Sequence, residues 1–161
     1  MATKVLVKDG KLATYGGKVV VVEVEASGAG TIDIIDTIGI SANTRLSASS
    51  GANRAQSGYA AIGANEDAAG LIHLKARDTL RIKGVSLPAS NDNYSVIALH
   101  NASGTFNTST YLHNGLCWNN MTFKNAGDSV VVTDAGEHYF RVSMICTDAS
   151  KVVVTVNEAI E

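Results

Sequence analysis

The feature that most constrains this chain is its rhythm. Short apolar, β-branched runs recur along it, turn-forming clusters separate them, and no segment sustains a helical period. Such runs, bounded by Gly, Pro, Asn, Asp and Ser, read as strands. The pattern predicts strands at residues 4–8, 18–25, 31–38, 71–76, 79–85, 94–100, 105–106, 121–124, 129–133, 137–146 and 151–156. Turn clusters fall at 88–93, 101–104, 125–128, 134–136 and 147–150. A spacing of roughly 8–12 residues indicates an all-β fold, an antiparallel, jelly-roll-like β-sandwich, and not alternating α/β units. The alternation is cleanest in 138–146, with His138, Phe140, Val142, Met144 and Cys146 on one side and Tyr139, Arg141 and Ser143 on the other.

At the start of the chain, Asp9-Gly10 is a two-residue hairpin signal, because both turn positions of the favoured hairpin turn need positive φ. Gly16-Gly17 repeats it. Residues 1–25 therefore read as N-terminal strands and a candidate attachment element, and 26–161 as the sandwich body. Within the body, residues 39–70 stand apart: 19 of these 32 are Gly, Ala or Ser, and no periodicity persists. They read as a small-residue-rich loop region, either a long excursion ordered by neighbouring chains or one holding short strands, for example at 59–62.

The 161 residues suit one domain. Aromatic residues are only 6% of a chain that is 45% hydrophobic, so the core must be built from Val, Ile, Leu and Ala. Charged residues are 17%, against about 25% in an average domain. A surface thin in charge suits packing against other chains. The 13 Lys and Arg are scattered singly and net charge is −2, which argues against a nucleic-acid partner. No apolar run approaches the ~20 residues of a membrane helix, and the N-terminus reads directly into strand sequence without a signal peptide. The expectation is a protein made in a cytoplasm that does not engage membranes. Cys117 and Cys146 fit no zinc spacing and read as buried thiols.

Catalytic constellations are not evident. His73, His100, His113 and His138 fall on separate strands and turns, and no Gly-x-Ser-x-Gly elbow or phosphate-binding loop occurs. His100 reads as a polar cap at a strand end, and His138 with Asp134 as a solvated turn. Asn91-Asp92-Asn93 reads as a polar turn, not a calcium site. The reading is of a non-enzyme with no cofactor and no metal. The richest candidate patch for a ligand or an interface is 111–120, which gathers Tyr111, His113, the single Trp118, Asn119 and Asn120. Aromatic faces with amide side chains suit sugar recognition; Trp118 as a core or subunit-interface anchor is the competing reading.

Two resemblances follow from these residues. Asp134-Ala135-Gly136-Glu137-His138-Tyr139-Phe140-Arg141-Val142, followed by Lys151-Val152-Val153-Val154-Thr155-Val156-Asn157, resembles the C-terminal strands of complement and tumour-necrosis-factor-like jelly rolls. The spacing here, Gly-x-x-Tyr-Phe, departs from the Gly-x-Tyr-x-Phe form of those strands. This resemblance implies architecture and trimerisation and carries no active site across. The start in a strand straight after Met-Ala, the Asp-Gly-Lys-Leu and Gly-Gly-Lys-Val turns and the low charge resemble small virion proteins of tailed bacteriophages. That implies a structural role in the virion, as a capsid decoration or a head or tail fibre subunit. Its partners would be copies of itself, with a trimer favoured, and other virion proteins. The alternative is a carbohydrate- or receptor-binding module, a lectin-like fibre tip using Tyr111, Trp118, Asn119 and Asn120 on a cell-surface glycan.

Overall fold

The computed structural model describes residues 7–8, 11–12, 14–15, 18–19, 22–24, 30–33, 38–63, 70–90, 92–113 and 115–157. Strands β1 (Val7–Lys8) and β2 (Lys11–Leu12) pair with Lys8 opposite Lys11, and β3 (Thr14–Tyr15) and β4 (Lys18–Val19) pair with Tyr15 opposite Lys18. Each register leaves two positions between the paired ends, where the sequence has Asp9-Gly10 and Gly16-Gly17. Those four residues themselves lie outside the described residues. Residues 18–25, read from sequence as one strand, are described as two pieces in different sheets: β4, and β5 (Val22–Val24), which pairs with β6 (Gly30–Asp33). The body sheet therefore begins inside 1–25.

The body is two antiparallel sheets. Its strands continue as β7 (Ile40–Leu46), β8 (Asn53–Ile62), β9 (Ile72–Leu74), β10 (Thr79–Lys83), β11 (Val96–His100) and β12 (Phe106–Tyr111). They end with β13 (Cys117–Trp118), β14 (Met121–Ala126), β15 (Ser129–Asp134), β16 (His138–Ile145) and β17 (Val153–Asn157). One sheet has seven strands in the order β13-β14-β15-β10-β17-β6-β5; the other has six, β12-β11-β16-β8-β7, with β9 also on β16. From β10 onward the chain crosses between the two sheets four times, after β10, β12, β15 and β16, so both layers of the sandwich are built from the same stretch of chain. Apolar alternation supplies the core between them. Leu80, Ile82, Val130, Val132, Val154 and Val156 face Ile72, Leu74, Ile97, Leu99, Val142 and Met144, all buried. Phe123 and Phe140 meet edge to face across the layers at 6.4 Å. Each such side chain contributes about 1.5–3 kcal/mol.

Residues 39–63 correct the reading of 39–70 as a loop region: β7 and β8, of 7 and 10 residues, form a long hairpin, and the strand expected at 59–62 is the end of β8. Residues 64–69 lie outside the described residues. The pairing runs Ile40↔Ile62 to Ala42↔Ala60, then resumes at Thr44↔Ala55, so Asn43 alone faces residues 56–59. Asn43 (φ 50°) and Gly58 (φ 80°) take the left-handed backbone at this bulge. The end of the hairpin forms an arm over the outer face of the six-stranded sheet. Leu46 is buried there with Ala61, Val96 and Ala98, and Ala48 and Phe106 pack against them. Ser109 Oγ on β12 donates to the Ala48 carbonyl. On the other flank the Arg45 guanidinium lies 5.1 Å over the Tyr94 ring, and Tyr94 meets Tyr59 edge-on at 5.6 Å. Small residues occur here because two backbones approach closely, which hides the strands from any alternation test.

Beneath the arm lies Arg141, 1% exposed in the middle of β16. Its Nη1 donates to the Gly51 carbonyl (2.6 Å), its Nε to the Gly63 carbonyl (3.4 Å), and its Nη2 to Asn53 Oδ1. Ser143 Oγ, two residues on, donates to the Tyr94 carbonyl at 2.8 Å. The polar side of β16 is therefore an interior, satisfied by carbonyls drawn from the arm and its neighbours.

Candidate functional site

The five residues of the sequence-derived patch divide between the two sheets. Tyr111 ends β12, the edge strand of the six-stranded sheet, and is 40% exposed. Leu112 follows it into the core. His113 is half-buried, with Nδ1 excluded from solvent and without a hydrogen-bond partner among the described residues. Trp118 belongs to the other sheet and packs, half-buried, against the main core. Asn119 (φ 47°) and Asn120 (φ 67°) form the two-residue turn between Trp118 and Met121, the left-handed pair that a tight hairpin demands and that Asn tolerates. The Asn120 carbonyl accepts from Ala135 N at 3.0 Å. Among the described residues, no ring contact or hydrogen bond joins Tyr111, His113 and Trp118. Of the two cysteines, Cys146 is buried, its thiol pushed up by burial, and Cys117 is exposed, which corrects the expectation for the latter.

At one end of the sandwich the expected solvated turn is instead a buried carboxylate holding a half-buried histidine. The Asp134 carboxylate is fully buried, takes the His138 Nδ1–H at Oδ2 (2.7 Å) and accepts Gly136 N at Oδ1 (2.8 Å). The reason is position: Arg77 N and Ala135 N tie the β9–β10 and β13–β14 turns onto this corner, closing it to water. Beside it His73 Nε2 lies 2.6 Å from Glu137 Oε1, and the His73 ring stacks on Tyr139 at 4.1 Å. A carboxylate-held imidazole is the orienting half of an acid–base pair. Here its visible work is to brace three turns. The Asp92 turn is likewise structural: it accepts Tyr94 N, Ser95 N and Ser95 Oγ, and takes the Tyr59 hydroxyl at 3.0 Å. Partial burial, reinforced by Asp92, pushes that hydroxyl up to about 12.

A concavity lies on the outer face of the six-stranded sheet, beside the tip of the arm. Register places His73, Tyr139, His100 and Phe106 side by side across four strands. His100 and Phe106 meet edge-on at 5.9 Å. Between this row and the arm is a groove of about 500 Å³ lined by residues 50–53, His100, Gly104 and Phe106. Gly51 (φ 66°) touches Phe106 so closely that an added Cβ would stand 2.8 Å from its ring. The turn after β11 is fixed by Asn101 Oδ1, which accepts Ser103 N and Thr105 N. It presents the Gly104 carbonyl to His100 Nδ1 at 2.9 Å. A carbonyl accepts only, so Nδ1 carries the proton and Nε2 keeps a lone pair. That Nε2 is buried and without a partner among the described residues, an omission that costs about 1–3 kcal/mol. Burial lowers the His100 pKa below 6.5, the Arg141 charge lowers it further, and Gly104 opposes both.

His100 as a strand-end cap was legible in the sequence; the groove was not. Its wall comes from residues about 50 positions away on the arm, held by Arg141, which is 90 residues from Gly51. One available signal was the arginine between Phe140 and Val142, on a strand face whose other residues, Tyr139 and Ser143, are uncharged.

Among the described residues, no three His, Cys, Asp or Glu are placed to hold a metal ion, and no helix is long and apolar enough to cross a membrane. Comparison with protein families, with curated proteins and with solved structures finds no match to this chain.

Proposed function

We propose that this chain is a non-enzymatic structural subunit of a bacteriophage particle, a capsid decoration or a head or tail fibre protein. It associates with copies of itself, as a trimer in the favoured form, and with other virion proteins. The observation that carries the assembly reading is β12, which closes the six-stranded sheet with one neighbour only among the described residues. Its sequence, Phe-Asn-Thr-Ser-Thr-Tyr, holds neither charge nor proline, and Asn107, Thr108 and Tyr111 are exposed. Edges that must stay single normally carry such blocks. Apart from one register shift beside His100, β12 is an open template for a partner strand. The two small N-terminal hairpins, each a sheet of its own, and the low surface charge agree with a chain made for attachment. The particle itself is inferred from the virion-like character of the sequence.

Light scattering after size exclusion, at two protein concentrations, tests the assembly reading. A stable oligomer is expected, and Thr108→Lys should lower its mass while leaving the fold intact. A monomer at both concentrations overturns it. Co-sedimentation with the structural proteins encoded beside it tests the particle, and failure to travel with any of them removes that part of the proposal. A second reading, binding of a glycan, is favoured by the groove and not by the patch around Trp118.

A further inference from the structure

We infer that the groove between the arm and the His100–Phe106 pair is a binding site for a neutral saccharide. It goes beyond the assembly reading and holds in a monomer or an oligomer alike. Three observations carry it. The volume, about 500 Å³, falls within the range of small-ligand clefts and is of the order one or two sugar rings require. Its lining joins one aromatic side chain, Phe106, to a hydroxyl, an amide, an imidazole and the backbone of three glycine or alanine positions, without a charged side chain. That composition suits a ligand whose C–H faces are apolar and whose rim is hydroxyls, and it offers no counter-charge to an anion or a cation. The third observation is the fixed setting of the His100 ring, which lines the groove edge-on to Phe106 at 5.9 Å with Nδ1 held by the Gly104 carbonyl at 2.9 Å.

The site is also held rigid, which weak polar ligands need. Arg141 clamps the far side of the wall through Gly51 and Asn53, so the groove keeps its width without a ligand. The wall residues Ser50 and Ala52 are exposed on the arm and can be altered without entering a core.

The test is saturation-transfer NMR followed by calorimetry, using glucose, galactose, mannose and N-acetylglucosamine as probes and glucuronate as the anionic counterpart. At least one neutral sugar should bind with a Kd of about 1 mM or tighter. Phe106→Leu removes the ring, and Ala52→Trp fills the groove from its exposed wall. Each should weaken binding about tenfold or more, with thermal melts showing that both variants fold. Trp118→Ala should leave binding unchanged. The inference is overturned if no neutral sugar binds at about 10 mM, or if glucuronate alone binds. It fails equally if folded Ala52→Trp binds as the parent does, or if Trp118→Ala abolishes binding while Ala52→Trp keeps it. None of these outcomes depends on native mass, so this inference and the assembly proposal fail separately.

Discussion

The two sheets treat their outer faces in opposite ways. On the seven-stranded sheet, Thr122, Thr133 and Thr79 form one cross-strand row, and Lys124, Val131, Arg81 and Thr155 another; all are exposed or half-buried. On the six-stranded sheet the equivalent positions of β16, Arg141 and Ser143, are buried under the arm. Both strands would be written as apolar residues alternating with polar ones. Alternation thus identifies a strand and its core side, but it does not say whether the polar side meets water or a further layer of protein. What distinguishes the covered sheet is the size of its neighbours, Ala61, Ala98 and Gly51, which leave room for a second backbone.

The same substitution on each face gives the largest contrast. Arg141→Met strips the donors from the Gly51 and Gly63 carbonyls and Asn53 Oδ1 while leaving them buried. Hydrogen bonds to a charged group are worth about 1.5–3 kcal/mol, so a loss of about 3 kcal/mol or more is expected in urea unfolding. Arg81→Met, on the open face, should change stability by no more than about 0.5 kcal/mol. Equal losses would mean that the arm does not depend on its arginine, and the contrast between the sheets would collapse.

A pair of glycines sharpens the comparison by separating backbone strain from packing. Gly51 (φ 66°) and Gly127 (φ 64°) adopt nearly the same left-handed conformation. An alanine Cβ at 127 would meet nothing within 4 Å, whereas at 51 it would collide with Phe106 and reach Ala98 at 3.4 Å. Gly127→Ala should cost about 1–2 kcal/mol from backbone alone. Gly51→Ala should cost about 1–3 kcal/mol beyond that, because the arm must lift or Phe106 must turn. If the two variants melt together, the arm is not seated on the sheet as described.

These contrasts also explain which parts of the molecule could be read in advance. Strands β10 and β16 were legible because each sets Leu, Ile, Val or Phe against polar neighbours with period two, and β15 and β17 because their valine runs are β-branched and bounded by turn residues. The pairings that flank Asp9-Gly10 and Gly16-Gly17 were legible because such dipeptides favour two-residue hairpins. β7 and β8 were not, because Ser41, Ala42, Ala55 and Ala60 give no contrast between faces. Asn119 and Asn120 are turn formers as well as amides, and only the backbone shows their positive φ. Asp134 was read with His138 as a solvated turn and not seen as buried, since the turns that cover it arrive from elsewhere in the chain. A site walled by one hairpin and floored by two other strands and the turn between them has no local signature.

The smallest effect probes the groove through its histidine. His100 is held below 6.5 by burial and by Arg141 when folded, and returns to its ordinary value when unfolded. Between the folded pKa and 6.5 the unfolded chain therefore binds a proton that the native chain does not, so native stability rises with pH across that window. Stability should fall as pH drops below 6.5 and stop responding to this group once pH lies under the folded pKa. Other titrating groups contribute their own slopes, so the informative quantity is the difference between the parent and His100→Asn, whose amide can still donate to Gly104. Urea midpoints at about pH 7.5 and about pH 5 should move further apart in the parent than in the variant. A parent and variant with the same pH response would place His100 in open solvent and remove the floor of the groove. Arg141→Lys then sharpens the result: it keeps a charge near the imidazole while loosening the arm, so a reduced pH response in that variant assigns the depressed pKa to the arm's exclusion of water.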